Sequence, residues 1–141
     1  MSTGTTDRPE LCAGGVAVHD GELLMIRRGH GPAAGEWSVP GGRVEHGELL
    51  AEAVVREVRE ETGLECVCGP LIGWVERIAE DGSTHFVILD FEVTVLDDTP
   101  PQAGDDAAEA RWVPLHEVTD LHLVEGLAEF LHENGIIDVI T

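Results

Sequence analysis

No lysine occurs among the 141 residues: all eight basic side chains are arginines, and 28 acids give a formal net charge of −20. A Walker-type phosphate loop needs its lysine on the phosphates, so that site is excluded. An extended phosphate backbone is an equally poor ligand, because nucleic-acid binding draws on basic surfaces, and no nucleic-acid partner is expected. A small phosphorylated substrate stays compatible if divalent cations bridge it to the acids. Cysteine is scarce too. Cys12, Cys66 and Cys68 are too few for a disulfide framework or a four-cysteine zinc site, and Cys66 and Cys68 fall on one strand face as buried, reduced thiols. No apolar run approaches the roughly 18 residues that span a membrane, and residues 1–9 lack the apolar segment of a signal peptide. The expectation is a cytoplasmic chain without membrane contact, with a flexible tail at 1–10 and one domain at 11–141. Such a domain is large enough to bury roughly two thirds of its surface.

What is present alternates between strand and turn signals. Residues 11–18 and 22–27 read as strands around the turn His19-Asp20-Gly21. The stretch 65–78 reads as a third, interrupted at Gly69-Pro70. Asp81-Gly82 then signals a hairpin before 85–95, the strongest strand pattern in the chain. Residues 97–108 are rich in Pro, Gly and Asp and read as a loop, 110–113 as a short strand, and 121–132 as a helix from its apolar spacing. The layout is mixed α/β with no internal repeat.

The most informative segment runs from Gly41-Gly42 to Gly63-Leu64 and holds a predicted helix. Glu57, Glu60 and Glu61 stand three and four residues apart, neighbours on one helix face. At 100° per residue from Leu50, Val54 and Val58 fall at about 40° and 80°, Glu57 and Glu61 at about −20° and +20°. The carboxylates therefore extend the apolar stripe and point into a cleft, while Arg59 and Glu52, near 180° and 200°, take the outer face. Like charges so placed repel unless a cation sits among them, and Mg²⁺, a hard ion, prefers such oxygen donors. Acidic helices are common and often merely face water. The flanking glycines argue otherwise: Gly41-Gly42 permits a tight approach of backbone to the cluster, and Gly63 sits where a left-handed cap would end the helix.

Competing motifs fail on spacing. Trp37, Pro40 and Gly41 follow Gly29-His30-Gly31 where the helix of a dinucleotide-binding unit should run. His116-Glu117 lacks the second histidine of a zinc protease, and no Gly-x-Ser-x-Gly nucleophile turn exists.

Gly42, five residues, Glu48, seven residues, Arg56-Glu57-Val58, one residue, Glu60-Glu61, one residue, Gly63-Leu64 resembles the Nudix box at every specified position, and Trp37-Ser38-Val39-Pro40-Gly41 resembles its usual approach. The resemblance covers residues 11 onwards and implies the Nudix fold, a mixed β-sheet sandwiched between helices. It implies a pyrophosphohydrolase that cleaves a nucleoside diphosphate linked to a group X into nucleoside monophosphate and phosphorylated X. By the same carry-over, Glu57, Glu60 and Glu61 bind Mg²⁺, for which Mn²⁺ can substitute. The Gly42 carbonyl adds a ligand, Arg56 holds Glu57, and Glu48 lies at the edge of the metal site. The identity of the general base varies within the family. The acidic loop 104–109 is similar to the corresponding loop of Nudix enzymes acting on ADP-ribose, which implies ADP-ribose or a related nucleoside-diphosphate sugar.

Asp106 and Glu109 are the loop's candidates for a further carboxylate, although turn preference alone explains aspartates there. Arg27 and Arg28 end a strand and point to opposite faces, so at most one reaches the pocket, and Arg27 is the candidate for pairing with phosphate or ribose. Trp37 is a candidate for stacking on a base, with core packing the commoner role for such a residue. Trp74, Trp112, Phe86 and Phe91 are assigned to the core or a subunit contact. Two alternatives use the same box: hydrolysis of oxidised nucleoside triphosphates, and nucleotide sensing without turnover. X would be read by loops, with a homodimer partner as a further source of contacts.

Overall fold

A computed structural model describes residues 8–138. Its strands are β1 (Glu10–Val16), β2 (Val18–His19), β3 (Glu22–Arg28), β4 (Trp37–Ser38), β5 (Gly41–Arg43), β6 (Cys66–Ile78), β7 (His85–Val95) and β8 (Ala107–Pro114). The helices are α1 (Leu50–Thr62) and α2 (Leu127–Glu133), with a 3-10 turn at Leu115–Asp120. Of the expected tail, residues 1–7 lie outside the described residues, and Glu10 already opens β1.

The mixed sheet is divided in two. One half has the order β5-β1-β7-β6, with β1 parallel to β7 and its other pairs antiparallel; in the other, β3 pairs with β2 and β4 along one edge and β8 along the other. Alternation along β3 assigns the layers. Leu24 packs with Val54 and Val58 of α1, while Leu23 and Met25 pack with Leu127, Phe130 and Leu131 of α2. The helices thus cover opposite faces, as expected for this fold class. Val54 and Val58 are wholly buried, and each such burial stabilises by roughly 1.5–3 kcal/mol. That anchors the first turns of α1 and so aims its last ones.

Three sequence expectations shift. Gly69-Pro70 does not interrupt β6; the strand bulges there, with register shifts between Cys68 and Leu71 and between Leu71 and Gly73. Because β6 is an edge strand, a proline without an N–H is tolerated. The helix expected at 121–132 begins only at Leu127, because the chain before it pairs with β4: the Trp37 N–H donates to the His122 carbonyl, the Val124 N–H to the Trp37 carbonyl, and Gly126 then turns at φ 84°. Finally, β8 starts at Ala107, extended by pairing with Arg28. No helix among the described residues is long and apolar enough to cross a membrane.

Candidate active site

Helix α1 opens with the Glu52 carboxylate accepting from the Leu49 N–H at 2.8 Å. It closes at Gly63, φ 76°, whose N–H donates to the Arg59 carbonyl. Those two ends fix where Glu57, Glu60 and Glu61 emerge. Glu57 and Glu61 are each only 8% exposed, and Glu60 stands at the exposed rim.

Arg56 organises this cluster. Its guanidinium donates from Nε to Glu48 Oε2 at 2.7 Å and from Nη2 to Glu48 Oε1 and the Arg43 carbonyl, both at 3.0 Å. Nη1 reaches Glu57 Oε2 and Glu60 Oε1, each at 3.0 Å. Hydrogen bonds from Arg56 hold the Glu48 carboxyl down to about 2, and Glu48 in turn raises the pKa of Arg56. Glu61 lies deeper, accepting from the Gly41 N–H at 2.8 Å. Burial pushes its pKa up to about 8, with the Gly41 N–H opposing and the charge of Glu57 adding to the rise. Burial also raises Glu57, against the pull of Arg56.

Strand β5 lies against these carboxylates. A Cβ on Gly42 would fall 2.4 Å from Glu57 Oε2, so a larger residue there would push the Glu57 carboxylate out of its place.

Could these residues hold a divalent ion? The donor set suits a hard cation: all oxygen, two members buried, and Glu61 answered by one neutral N–H. Among the described residues no three His, Cys, Asp or Glu side chains are already gathered as a cage. Arg56 instead ties Glu57 to Glu60. The chemistry fits, and loading would require side-chain turns.

The loop before β8 approaches the same cluster by a different residue from those singled out in the sequence. Asp105, at φ 53°, acts repulsively on both Glu57 and Glu61. The loop is laid on the end of α1 by the Gln102 N–H to the Thr62 carbonyl and the Gly104 N–H to the Glu61 carbonyl. Asp106 is exposed and faces His30 at 3.7 Å. Glu109 lies opposite Arg27 in the β3–β8 register, and the two pair with each other at 3.4 Å. It is Arg28, on the other face of β3, that acts on Glu61. Strand alternation is the signal that separates the two arginines, but only the fold says which face counts.

Trp37 is 7% exposed within the α2-side core, and the Arg111 guanidinium sits 4.8 Å over its ring. That packing leaves little of the indole for a base. Trp74, by contrast, is 63% exposed on β6, and Phe86, Phe91 and Trp112 are half-buried.

On the face of β1 away from α1 lies a cavity of about 580 Å³, with Gly41, Gly42 and Arg28 at one end and Asp90, Phe86 and Phe130 further along its wall. Its size is that of a small-molecule site. Gly41 and Gly42 therefore separate a cavity from a carboxylate cluster, touching both. Asp90 escaped sequence reasoning because nothing in an alternating strand marks one acid as inward.

Comparison with known proteins agrees with this geometry. The chain is 36% identical over 113 residues to the ADP-ribose pyrophosphatase of Methanocaldococcus jannaschii, covering 80% of this chain and 66% of that one. It is 33% identical over 118 residues to the human 8-oxo-dGDP phosphatase, where the match spans 77% of this chain but 35% of the relative. Among solved structures, the MutT NUDIX hydrolase of Burkholderia pseudomallei superposes with a TM-score of 0.80 at 26% identity, covering 89% of this chain and 98% of that one. The NUDIX domain family matches residues 9–133, and with the box, the two helix-covered sheet faces and the carboxylate cluster in place, the chain belongs to the Nudix family.

Proposed function

We propose that this protein is a Mg²⁺-dependent pyrophosphohydrolase of nucleoside diphosphates linked to a further group X. Water adds to one phosphorus, the bridging P–O bond breaks, and a nucleoside monophosphate and phosphorylated X leave. The observation that carries this reading is the burial of Glu57 and Glu61 at the end of α1, one β-strand away from a cavity of nucleotide size. Glu57, Glu60 and Glu61 would hold the ion, with the Gly42 carbonyl beside them. Bound there, it would screen the diphosphate and acidify water. Arg56 positions two of the three carboxylates, and the buried setting strengthens every charge interaction with the bridge. In a protein of net charge −20 such a cationic bridge would offset the repulsion between the carboxylates and an anionic substrate.

For X, a sugar is the favoured reading, with ADP-ribose the first candidate. It draws on the similarity to an ADP-ribose pyrophosphatase and on the acidic loop that brings Asp105 towards Glu57 and Glu61. Oxidised nucleoside phosphates form the second reading, drawing on the similarity to an 8-oxo-dGDP phosphatase. Comparing kcat/KM with Mg²⁺ across ADP-ribose, other nucleoside-diphosphate sugars, dinucleoside polyphosphates and oxidised triphosphates tests the proposal. Turnover that requires the metal and is highest on sugar-linked diphosphates is expected. Nucleotide binding without turnover anywhere in the panel would leave a sensor instead.

A further inference from the structure

The cavity reverses the charge balance of the chain. Three of the eight arginines line it, Arg28, Arg43 and Arg77, against two of the 28 acids, Asp90 and Glu125. The arginines follow one another away from the carboxylate cluster. Arg28 acts on Glu61 and on Cys12. Arg43 acts on Cys12 as well, and its guanidinium sits 5.9 Å from the centre of the Phe86 ring. Arg77 stands opposite Phe86 in the β6–β7 register. Residues directly opposite on adjacent strands face the same side of a sheet, so Arg43 on β5 and Arg77 on β6 flank a floor made by Cys12, Ile88 and Phe86. Each guanidinium is tethered through one nitrogen: Arg28 Nε donates to the Pro32 carbonyl at 3.2 Å, Arg43 Nε pairs with Glu10 at 2.7 Å, and Arg77 Nη2 donates to the Glu125 carbonyl. Their other nitrogens make no hydrogen bond among the described residues. Asp90, opposite Gly14 and Gly73, feels the charge of Arg77, but its Oδ1 is shut against Gly14 and closed to a ligand. In a chain so rich in acids, spare guanidinium donors along a cavity leave room for an anion supplied from outside.

We propose that the cavity binds a phosphomonoester between Arg43 and Arg77, so that the half of the substrate lying there carries its own phosphoryl group, remote from the diphosphate bridge. A guanidinium presents paired donors that match phosphate oxygens. At neutral pH such a monoester carries about −1.5 to −2 charges, which makes it the anion best served by two cations. Arg28, beside Glu61, stands at the end of the cavity nearest the bridge. Arg43 lies two residues along β5 from Gly41, roughly 7 Å further on, the span of one sugar ring. Between the two anionic ends, the floor at Ile88 and Phe86 suits the apolar face of a sugar or base. The inference rests on the nucleotide reading above, and within it ranks substrates with a further phosphate on the nucleoside or on X ahead of plain ADP-ribose.

Equilibrium binding without metal tests this independently of turnover. AMP is compared with adenosine 2′,5′-bisphosphate and adenosine 3′,5′-bisphosphate, and glucose 1-phosphate with glucose 1,6-bisphosphate. In at least one comparison the bisphosphate is expected to bind about fivefold or more tighter, as hydrogen bonds to a charged group allow. Preference for an adenosine bisphosphate puts the nucleoside in the cavity, and preference for the glucose bisphosphate puts X there. Arg43→Gln and Arg77→Gln are each expected to cut that ratio about threefold or more. Arg59→Gln, which removes the same charge beside Glu65 on the outer face of α1, is expected to leave it unchanged. Ratios below about fivefold in every comparison would overturn the proposal without any variant. So would a ratio that both cavity variants retain, or one that Arg59→Gln lowers as much as they do. Bisphosphate preference without Mg²⁺-dependent turnover would sink the activity and leave the anion site intact; turnover without the preference would do the reverse.

Discussion

Glu57, against β5, and Asp90, beside β1, are both buried acids, yet one is tied into a network and the other is not. Glu57 receives the Arg56 guanidinium from its own helix at 3.0 Å. Asp90 Oδ1 receives nothing among the described residues and overlies a glycine that is distant in sequence. The difference is one of locality. Helical spacing can supply a charge with its partner within one turn, so an acid that must be oriented before substrate arrives belongs on a helix. A strand residue depends on long-range register for its surroundings. The cluster on α1 is oriented by its own helix; the surroundings of Asp90 are set by strand register.

The sharpest way to break this contrast is to neutralise the cluster while keeping its shape. Glu57→Gln and Glu61→Gln are each expected to lower kcat by about 10²-fold or more, as loss of charge stabilisation at a reacting bond does. Both variants should stay folded in the metal-free state, since glutamine keeps the side-chain volume and an amide oxygen that can accept from the Gly41 N–H at position 61 and from Arg56 at position 57. Steady-state kinetics and thermal melting together check this. Near-parental kcat in both variants would mean that these carboxylates do not serve the reaction.

A smaller effect separates two arginines on the same helix. Arg56 touches Glu48, Glu57, Glu60 and the Arg43 carbonyl, whereas Arg59 pairs at 2.8 Å with Glu65 at the exposed surface. Arg56→Ala is expected to cost roughly 10- to 100-fold in activity, the range seen when a group orienting metal ligands is lost. It should also raise the Mg²⁺ concentration needed for half-maximal rate. Arg59→Ala should change neither, because exposed pairs contribute little. Equal losses in the two variants would reduce Arg56 to general helix support.

How much of this was legible beforehand follows the same division between local and distant. The α1 cluster was readable because fixed spacings on one helix set its geometry, down to the cap at Gly63. The strand pattern likewise revealed β7 with its bounds intact. What escaped depended on pairing partners far away in sequence. Trp37 holds the backbone at His122 and Val124 out of the helix that their apolar spacing suggests. Register sets Arg27 against Glu109, removing two candidates from the site by matching them to each other. Asp105 replaces Asp106 near the cluster because a single positive-φ residue reverses the loop. Asp90 is visible only once Gly14 and Gly73 are known to flank it.

The smallest expected effect concerns stability and refines the contrast from the side of the cluster. An unfolded glutamate titrates near 4.5, and burial raises folded Glu61 to about 8. Between those values the folded state keeps a proton that the unfolded state has released, so stability falls as pH rises through the window; the contribution is complete below 4.5 and gone above 8. Asp90 shifts in the same sense but its window ends near 6, which leaves the interval above pH 6.5 to report on the cluster. Metal-free protein is therefore expected to lose on the order of a few degrees of melting temperature from pH 6.5 to 8. Glu61→Gln should lose less over the same interval, and Mg²⁺ should flatten the parental slope by taking the place of the proton. A parental slope that rises with pH, or one that Glu61→Gln reproduces, would show that Glu61 enters this interval already ionised, so that its burial among acids is compensated within the protein and leaves no protonation for a cation to displace.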